Sequence, residues 1–433
     1  QLVQYIDLIK SDETEAGNAY GQSYVSSDGA RYPWISATDY GGDGAGGHGT
    51  HTAGSAAGAT ISNPAELANC TSDRVLSCVG GCIDETSLFG DDLVSYYYQQ
   101  YELADLDRLC PAYDCDGLSD DVCLSDDAAT TLADHGGVAR GAKISIFDVL
   151  TNTDGIGIYL AGNGLWLPPL EIGGKLHSNS WGGDLLCMVD TLDILYDEFM
   201  WENPENLLIF SAGNDGEYID DEYRTTCTMS TPAIGKNALA VGATSSGVTR
   251  ITATGADGKQ SNFGGADIDT VAYFSSYGPT SEGRIKPEVV APGDQVYSAA
   301  SDGTGEYSCR LLMYAGTSMS TPIVAGSAAL VRQYFIDSSF YADDVQARGF
   351  CASSSTSMPE TSASFLCAGF SPSAATIKAM LINSANLMGG GYEPDGFRGF
   401  GRVHLQAGMP LKGAGVMALF VADANITTIT ELT

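Results

Sequence analysis

Positive charge is what this sequence has least of: 20 Lys and Arg stand against 54 Asp and Glu over 433 residues, a formal net charge of −34. A surface of that sign repels phosphate backbones and anionic lipid headgroups, so a nucleic-acid or membrane-surface role would need a local basic patch, and the sequence has none. The acidity reads instead as solubility in a salty or extracellular medium. Long apolar runs are also missing. A spanning helix needs about 18 or more consecutive apolar residues, so no membrane span is expected. The chain opens at Gln1 rather than Met, without a charged stretch leading into an apolar one, and reads as an internal piece of a longer precursor. Histidine is scarce, five in all, which leaves few candidates for a catalytic base.

What is present is enough apolar residue, 44%, to bury a large core. Eleven cysteines occur, and six of them (Cys70, Cys78, Cys82, Cys110, Cys115 and Cys123) fall in one stretch. They lack interleaved His, so disulfides are favoured over zinc. Residues 61–134 hold 16 Asp and Glu against two Arg and no Lys, contributing −14 of the net charge. This acidic, Cys-rich stretch reads as an insertion, folded as a stapled surface excursion.

Around it, apolar runs of strand length alternate with helical patterns. Strands are expected at Leu2–Ile6, Ala142–Val149, Leu207–Phe210 and Ala238–Val241, and helices at Asp190–Trp201, Thr317–Tyr334 and Ser373–Ala385. A helix is also expected to start near His48, where Gly and Ala permit close packing. That alternation predicts an α/β fold with a mostly parallel sheet covered on both faces. Functional residues then belong at the carboxyl ends of strands, and Asn214 follows one directly.

Three motifs stand in the order His, Asn, Ser: His48-Gly49-Thr50-His51-Thr52-Ala53-Gly54, Ser211-Ala212-Gly213-Asn214-Asp215-Gly216 and Gly316-Thr317-Ser318-Met319-Ser320-Thr321-Pro322. They resemble the base, oxyanion and nucleophile motifs of the subtilisin-like serine peptidases. Gly137–Lys143, Thr231–Asn237 with Val241–Thr244, and Phe274–Thr280 with Gly283–Gly293 are similar to further segments of that family, which usually has Arg where Tyr277 stands. Gly399–Val403 resembles the close of the catalytic domain in large members. The resemblance covers roughly residues 40–405 apart from the insertion. It implies a doubly wound, subtilisin-like catalytic domain over 1–410, incomplete at its N-terminus, with residues 411–433 starting a C-terminal β region. Long members carry a β-sandwich there; a terminal strand pair packed on the catalytic domain is the alternative.

The chemistry fits the motifs. A serine hydroxyl is a poor nucleophile at neutral pH and needs a neutral imidazole to take its proton. Ser318 is the nucleophile and His48 the base, with His51 a structural partner facing the helix interior; His135, His177 and His404 read as structural. The oxyanion donors are the Asn214 amide and the Ser318 backbone N–H, at a helix N-terminus. The resemblance puts Ser180, Trp181 and Gly182 along one substrate wall and Ser211, Ala212 and Gly213 near the S1 pocket, although Trp181 serves equally as a core aromatic. Small residues there imply broad specificity.

The family's triad Asp, in an Asp-Ser/Thr-Gly turn ahead of the His, has no counterpart before His48. Asp7 follows a strand-like run 41 residues upstream but lacks the turn chemistry. The expectation is that the acid stands ahead of Gln1, with Asp7 the alternative. A secreted, monomeric endopeptidase of proteins or peptides is therefore expected, with no required cofactor, calcium a structural option of unknown ligands, and a non-catalytic peptide-binding relative the rival. An α/β-hydrolase esterase is excluded, because no Gly-x-Ser-x-Gly surrounds Ser318 and His precedes Ser.

Overall fold

The computed structural model describes residues 2–7, 23–25, 31–33, 47–58, 136–148, 165–166, 169–170, 172–183, 187–216, 227–247, 251–254, 260–263, 267–299, 311–340, 345–348, 369–389, 394–411 and 419–423. The strands, in chain order, are β1 (Leu2–Asp7), β2 (Ser23–Val25), β3 (Arg31–Pro33), β4 (Ile144–Asp148), β5 (Leu176–Asn179), β6 (Leu207–Ser211), β7 (Leu239–Ser245), β8 (Ile251–Thr254) and β9 (Gln260–Phe263). They continue as β10 (Val289–Asp294), β11 (Val296–Ala299), β12 (Leu311–Tyr314), β13 (Val345–Arg348) and β14 (Leu419–Ala422). The helices are α1 (His48–Ala57), α2 (Thr191–Glu202), α3 (Thr317–Ile336), α4 (Ala374–Asn383) and a single turn, α5 (Leu405–Gly408). The insertion at 61–134 with its six cysteines, His135 and residues 424–433 lie outside the described residues.

Four parallel strands form the central sheet in the order β10-β7-β6-β5. β1 and β4 form a separate parallel pair, with Asp7 opposite Asp148. The strand period of two decides what each face of the sheet buries. Leu207 and Ile209 of β6, with Leu239 and Val241 of β7, join a core cluster with Val324, Val331 and Phe335 of α3 and Ile377 of α4. The alternate residues Leu208, Phe210 and Ala240 pack on Tyr196, Phe199 and Met200 of α2. Helices thus cover both faces, as the alternation predicts. Leu207, Leu208, Ile209 and Phe210 are all fully buried; each such side chain contributes about 1.5–3 kcal/mol of transfer free energy.

The helix starts are sharper than the patterns that announced them. Asp190 and Ser373 stand just outside α2 and α4; Asp190's N–H donates to Asp193 Oδ2 (2.8 Å), and Ser373 Oγ accepts from Thr376 N (3.1 Å). Both are ways of satisfying the orphaned first-turn donors. At the C-terminal end, Leu419 and Val421 of β14 pack against the main core, and Asp423 Oδ2 accepts from Ser373 N (2.6 Å). This short strand is therefore seated on the α/β core.

One ionic cluster sits inside the molecule. Glu288 Oε1 lies 2.8 Å from Lys286 Nζ and 2.6 Å from Lys378 Nζ, and its Oε2 accepts from Ala240 N (2.8 Å). Both ammonium groups also donate to the Ala238 carbonyl. Burial pushes Lys286 down to about 8, against the pull of Glu288. Burial raises Glu288, but the two lysines more than offset it, leaving its carboxyl below the usual range. The cluster joins the lead-in to β10, the lead-in to β7 and α4.

Candidate active site

Gly316 begins the site. Its φ of 153° lies in the region that favours glycine, and its N–H donates to Gly293 O (2.7 Å), which turns the chain sharply into α3. Ser318 is the second residue of that helix and half-buried. Pro322, four residues on, brings no N–H, so the Ser318 carbonyl has no helical donor. Ser180 supplies one: its Oγ donates to Ser318 O at 2.7 Å, while Ser318 Oγ donates to Ser180 O at 3.3 Å. Ser318 is held against Ser180, the first residue of the expected substrate wall.

Asn214 reaches the same turn from β6. Gly213 carries φ 111°, and a Cβ there would collide with the hydroxyls of Ser230 and Ser276, so only glycine lets the chain pass. Asn214 Oδ1 then accepts from Thr317 N and lies equally close, 2.9 Å, to the Thr317 hydroxyl. A Cβ built on Gly316 would stand 3.6 Å from Asn214 Nδ2 and Ser318 N and 3.7 Å from Asn214 Oδ1, so the Asn214 amide and the Ser318 N–H lie side by side at the positive end of α3.

His48 opens α1 and is exposed. α1 packs on α3 at close range: a Cβ on Gly326 would stand 2.6 Å from Ala56 O. The His48 ring also lies 6.5 Å from Tyr314, four residues ahead of Ser318. His51 turns inward, as expected of a structural partner: it is fully buried, its Nε2 is 2.9 Å from Val296 O, and its ring is 4.9 Å from Tyr314.

The remaining calls divide. Ser180 and Gly182 line the open side, but the Trp181 ring turns edge-on to Phe210 (5.5 Å) and Tyr196 (6.4 Å), in the core. Ser211 and Ala212 are buried at the end of β6, Ala212 N donating to Val241 O (2.9 Å). His177 is buried against Trp166 and Asn206, and His404 Nδ1 lies 3.2 Å from Asn386 Oδ1. Tyr277, where Arg is usual in the family, stacks on Phe397 at 4.7 Å. Asp7 closes β1; its side chain lies outside the described residues. Among the described residues no group of three or more His, Cys, Asp or Glu is placed to hold a metal ion, and no helix is long and apolar enough to cross a membrane.

Three features escaped the sequence reading. Thr317, which anchors Asn214, and Tyr314, which carries both His rings, stand within four residues of Ser318, and that proximity was the available signal. The third is a disulfide between Cys187 and Cys227, outside the cysteine cluster.

Comparison with known proteins bears on the family of the chain. A model of the subtilase family, Peptidase S8, matches residues 22–401. The serine protease/ABC transporter B family protein tagA of Dictyostelium discoideum is 22% identical over 329 residues, which is 59% of this chain and 18% of that protein. Serine protease AprX of Bacillus subtilis is 28% identical over 198 residues, 37% of this chain and 42% of that one. The chain spans only 16–18% of the length of the three Dictyostelium relatives it matches. Among solved structures, sphericase aligns with a TM-score of 0.40 at 22% identity, covering 63% of this chain and 71% of the other. With the family match running over most of its length and the His, Asn and Ser motifs in family order, the chain belongs to the subtilase family of serine peptidases.

Proposed function

We propose that this chain is the catalytic part of a secreted serine endopeptidase of broad specificity that works through an acyl-enzyme. The observation that carries the proposal is that the Asn214 amide and Ser318 N lie side by side at the start of α3, with the Asn oxygen held by Thr317. Donors fixed in advance around one point suit an oxyanion, which forms only as the carbonyl is attacked. In the proposed reaction His48 takes the Ser318 proton as Oγ bonds to the peptide carbonyl carbon. The oxyanion collapses, the C–N bond breaks, and His48 gives the proton to the departing amine. Water repeats the sequence to release the acid and restore Ser318. Ser318 Oγ must first release the Ser180 carbonyl.

Secretion is supported by the Cys187–Cys227 pair and the acidic composition, since disulfides persist in oxidising compartments. We take the chain to act as a monomer on protein or peptide substrates. A structural calcium, whose ligands are unassigned, is tested by whether chelation lowers the melting temperature. If Asp7 is the orienting acid, Asp7→Asn should cost on the order of 10⁴ in kcat, and an unchanged kcat would rule it out.

Labelling with a phosphonofluoridate tests the central claim, because the reagent reports an activated serine. Modification of Ser318 in the parent and none in Ser318→Ala is expected. An unlabelled parent that still binds extended peptides would favour the non-catalytic reading.

A further inference from the structure

The first turn of α2 holds a carboxyl group inside the protein. Asp193 is 2% exposed, and burial holds its carboxyl above the usual range against the pull of its hydrogen bonds. Its Oδ2 accepts from Asp190 N (2.8 Å) and from the Thr231 hydroxyl (2.6 Å). The first bond satisfies the Asp190 N–H at the helix start, as the side chain of the third helical residue does in a capping box. The second reaches 38 residues along the chain and does something no cap requires.

Thr231 sits between the two sides of the cleft. Its carbonyl accepts from Gly183 N (2.8 Å) and its N–H donates to Gly183 O (3.1 Å), an antiparallel bridge. The preceding Ser230 N donates to Ala212 O (2.9 Å). Residues 230–231 are therefore a spacer, with the wall of Ser180–Gly183 on one flank and Ser211–Asn214 on the other. Gly182 rests directly on it: a Cβ there would stand 2.9 Å from Thr231 O and 3.1 Å from Ser230 Cβ. Any shift of Thr231 moves Gly182 and Gly183, the end of the wall away from the Ser180–Ser318 tie.

We propose that Asp193 is a positioning residue for substrate binding, which fixes Thr231 and through it holds the Ser180–Gly183 wall at the separation that admits an extended peptide. Asp193 touches no substrate. The inference rests on the peptidase reading, because it takes that wall to pair with the substrate backbone in the manner of an added strand. Carboxylate-to-hydroxyl bonds are short and strong, and losing one here frees the only side-chain tie between α2 and the spacer among the hydrogen bonds of the described residues.

The test is the affinity of a fluorescent octapeptide, read by anisotropy in full-length protein carrying Ser318→Ala so that nothing is cut. Asp193→Ala is expected to weaken binding about tenfold, the scale of one buried charge-assisted hydrogen bond. Asp193→Asn keeps an acceptor for both donors and should restore most of the affinity. Thr231→Val, which leaves the start of α2 untouched, should match Asp193→Ala, and the two changes together should do no more than either alone. It also serves should Asp193→Ala fail to fold. In the Ser318-intact series the small phosphonofluoridate should label every variant at the parent rate. A parent that does not label sinks the peptidase reading; equal octapeptide affinity in parent and Thr231→Val, with labelling intact, sinks this inference alone. Labelling and peptide binding falling together would mean general loosening and would also overturn it.

Discussion

The Ser180 hydroxyl donates to the Ser318 carbonyl at 2.7 Å, the one carbonyl of the first turn of α3 that Pro322 leaves without a helical donor. The proline and Ser180 are thus two halves of one device. A helix start that would otherwise close on itself is opened and tied to the wall along which substrate is expected to lie.

Ser180→Ala removes that tie and leaves the Ser318 carbonyl unsatisfied. An unmet buried acceptor costs about 1–3 kcal/mol, and here the strain falls on the nucleophile's own backbone. A fall of about tenfold in kcat with an intact fold is expected, from steady-state hydrolysis of a peptide substrate. Unchanged kcat would reduce the contact to packing.

Asn214→Asp is the sharper test of the oxyanion site. A carboxylate still accepts from Thr317 N and Oγ1, so the local structure is kept, but it offers no donor and adds a like charge. The expected loss is roughly 10²–10³ in kcat with KM little changed, and Asn214→Leu should match it. If KM rises while kcat holds, Asn214 is a binding residue instead.

The sequence carried the site through local motifs, and it failed where contacts are distant. Ser318, His48 and Asn214 were each legible because glycines and small residues around them mark a tight turn or a close helix approach. Thr317's hold on Asn214 spans 103 residues, and Asp193 looked like any acid in the first turn of a helix. Trp181 was left open between wall and core, since a ring's direction depends on neighbours such as Phe210 and Tyr196 that only the fold brings up. Cys187 and Cys227 stand 40 apart and outside the cysteine cluster, so spacing carries no sign of their pairing.

Glu288 carries a stability prediction. It neutralises two lysines and accepts from Ala240 N. Removing one partner of a buried ion pair leaves uncompensated charge, so Glu288→Ala should cost about 3–5 kcal/mol in urea unfolding. Because Lys286 and Lys378 would both be stranded, adding Lys286→Met should recover part of the loss. A Glu288→Ala protein as stable as the parent would show the cluster to be neutral.

His177 predicts a pH window. Burial holds it down to about 4, against the Asn206 hydrogen bond, while an unfolded histidine titrates near 6.5. Between those values the unfolded chain binds a proton that the folded chain does not, so stability rises with pH across the window and is lost as pH falls through it. By pH 5 the loss should reach about 2 kcal/mol. Unfolding free energies at pH 7 and pH 5 should differ by that much more in the parent than in His177→Asn; parallel slopes would exclude His177 as the cause.

The disulfide makes the last prediction, because it bears on compartment as well as stability. Cys187 and Cys227 close a loop across the same layer that Thr231 joins to Gly183, with Met229 N donating to Cys187 Sγ (3.2 Å). Cross-links that close loops of this length remove about 3–4 kcal/mol of unfolded-state entropy, so Cys187→Ser with Cys227→Ser should lower unfolding stability by that order. Nine cysteines remain (11 − 2), six of them in 61–134. Peptide mapping without reductant should recover the 187–227 pair and most of the six joined among themselves. An oxidising compartment forms such bonds and a reducing one does not. If all six are free, or bind zinc stoichiometrically, secretion fails as a reading even though the nucleophile, base and oxyanion donors would stand.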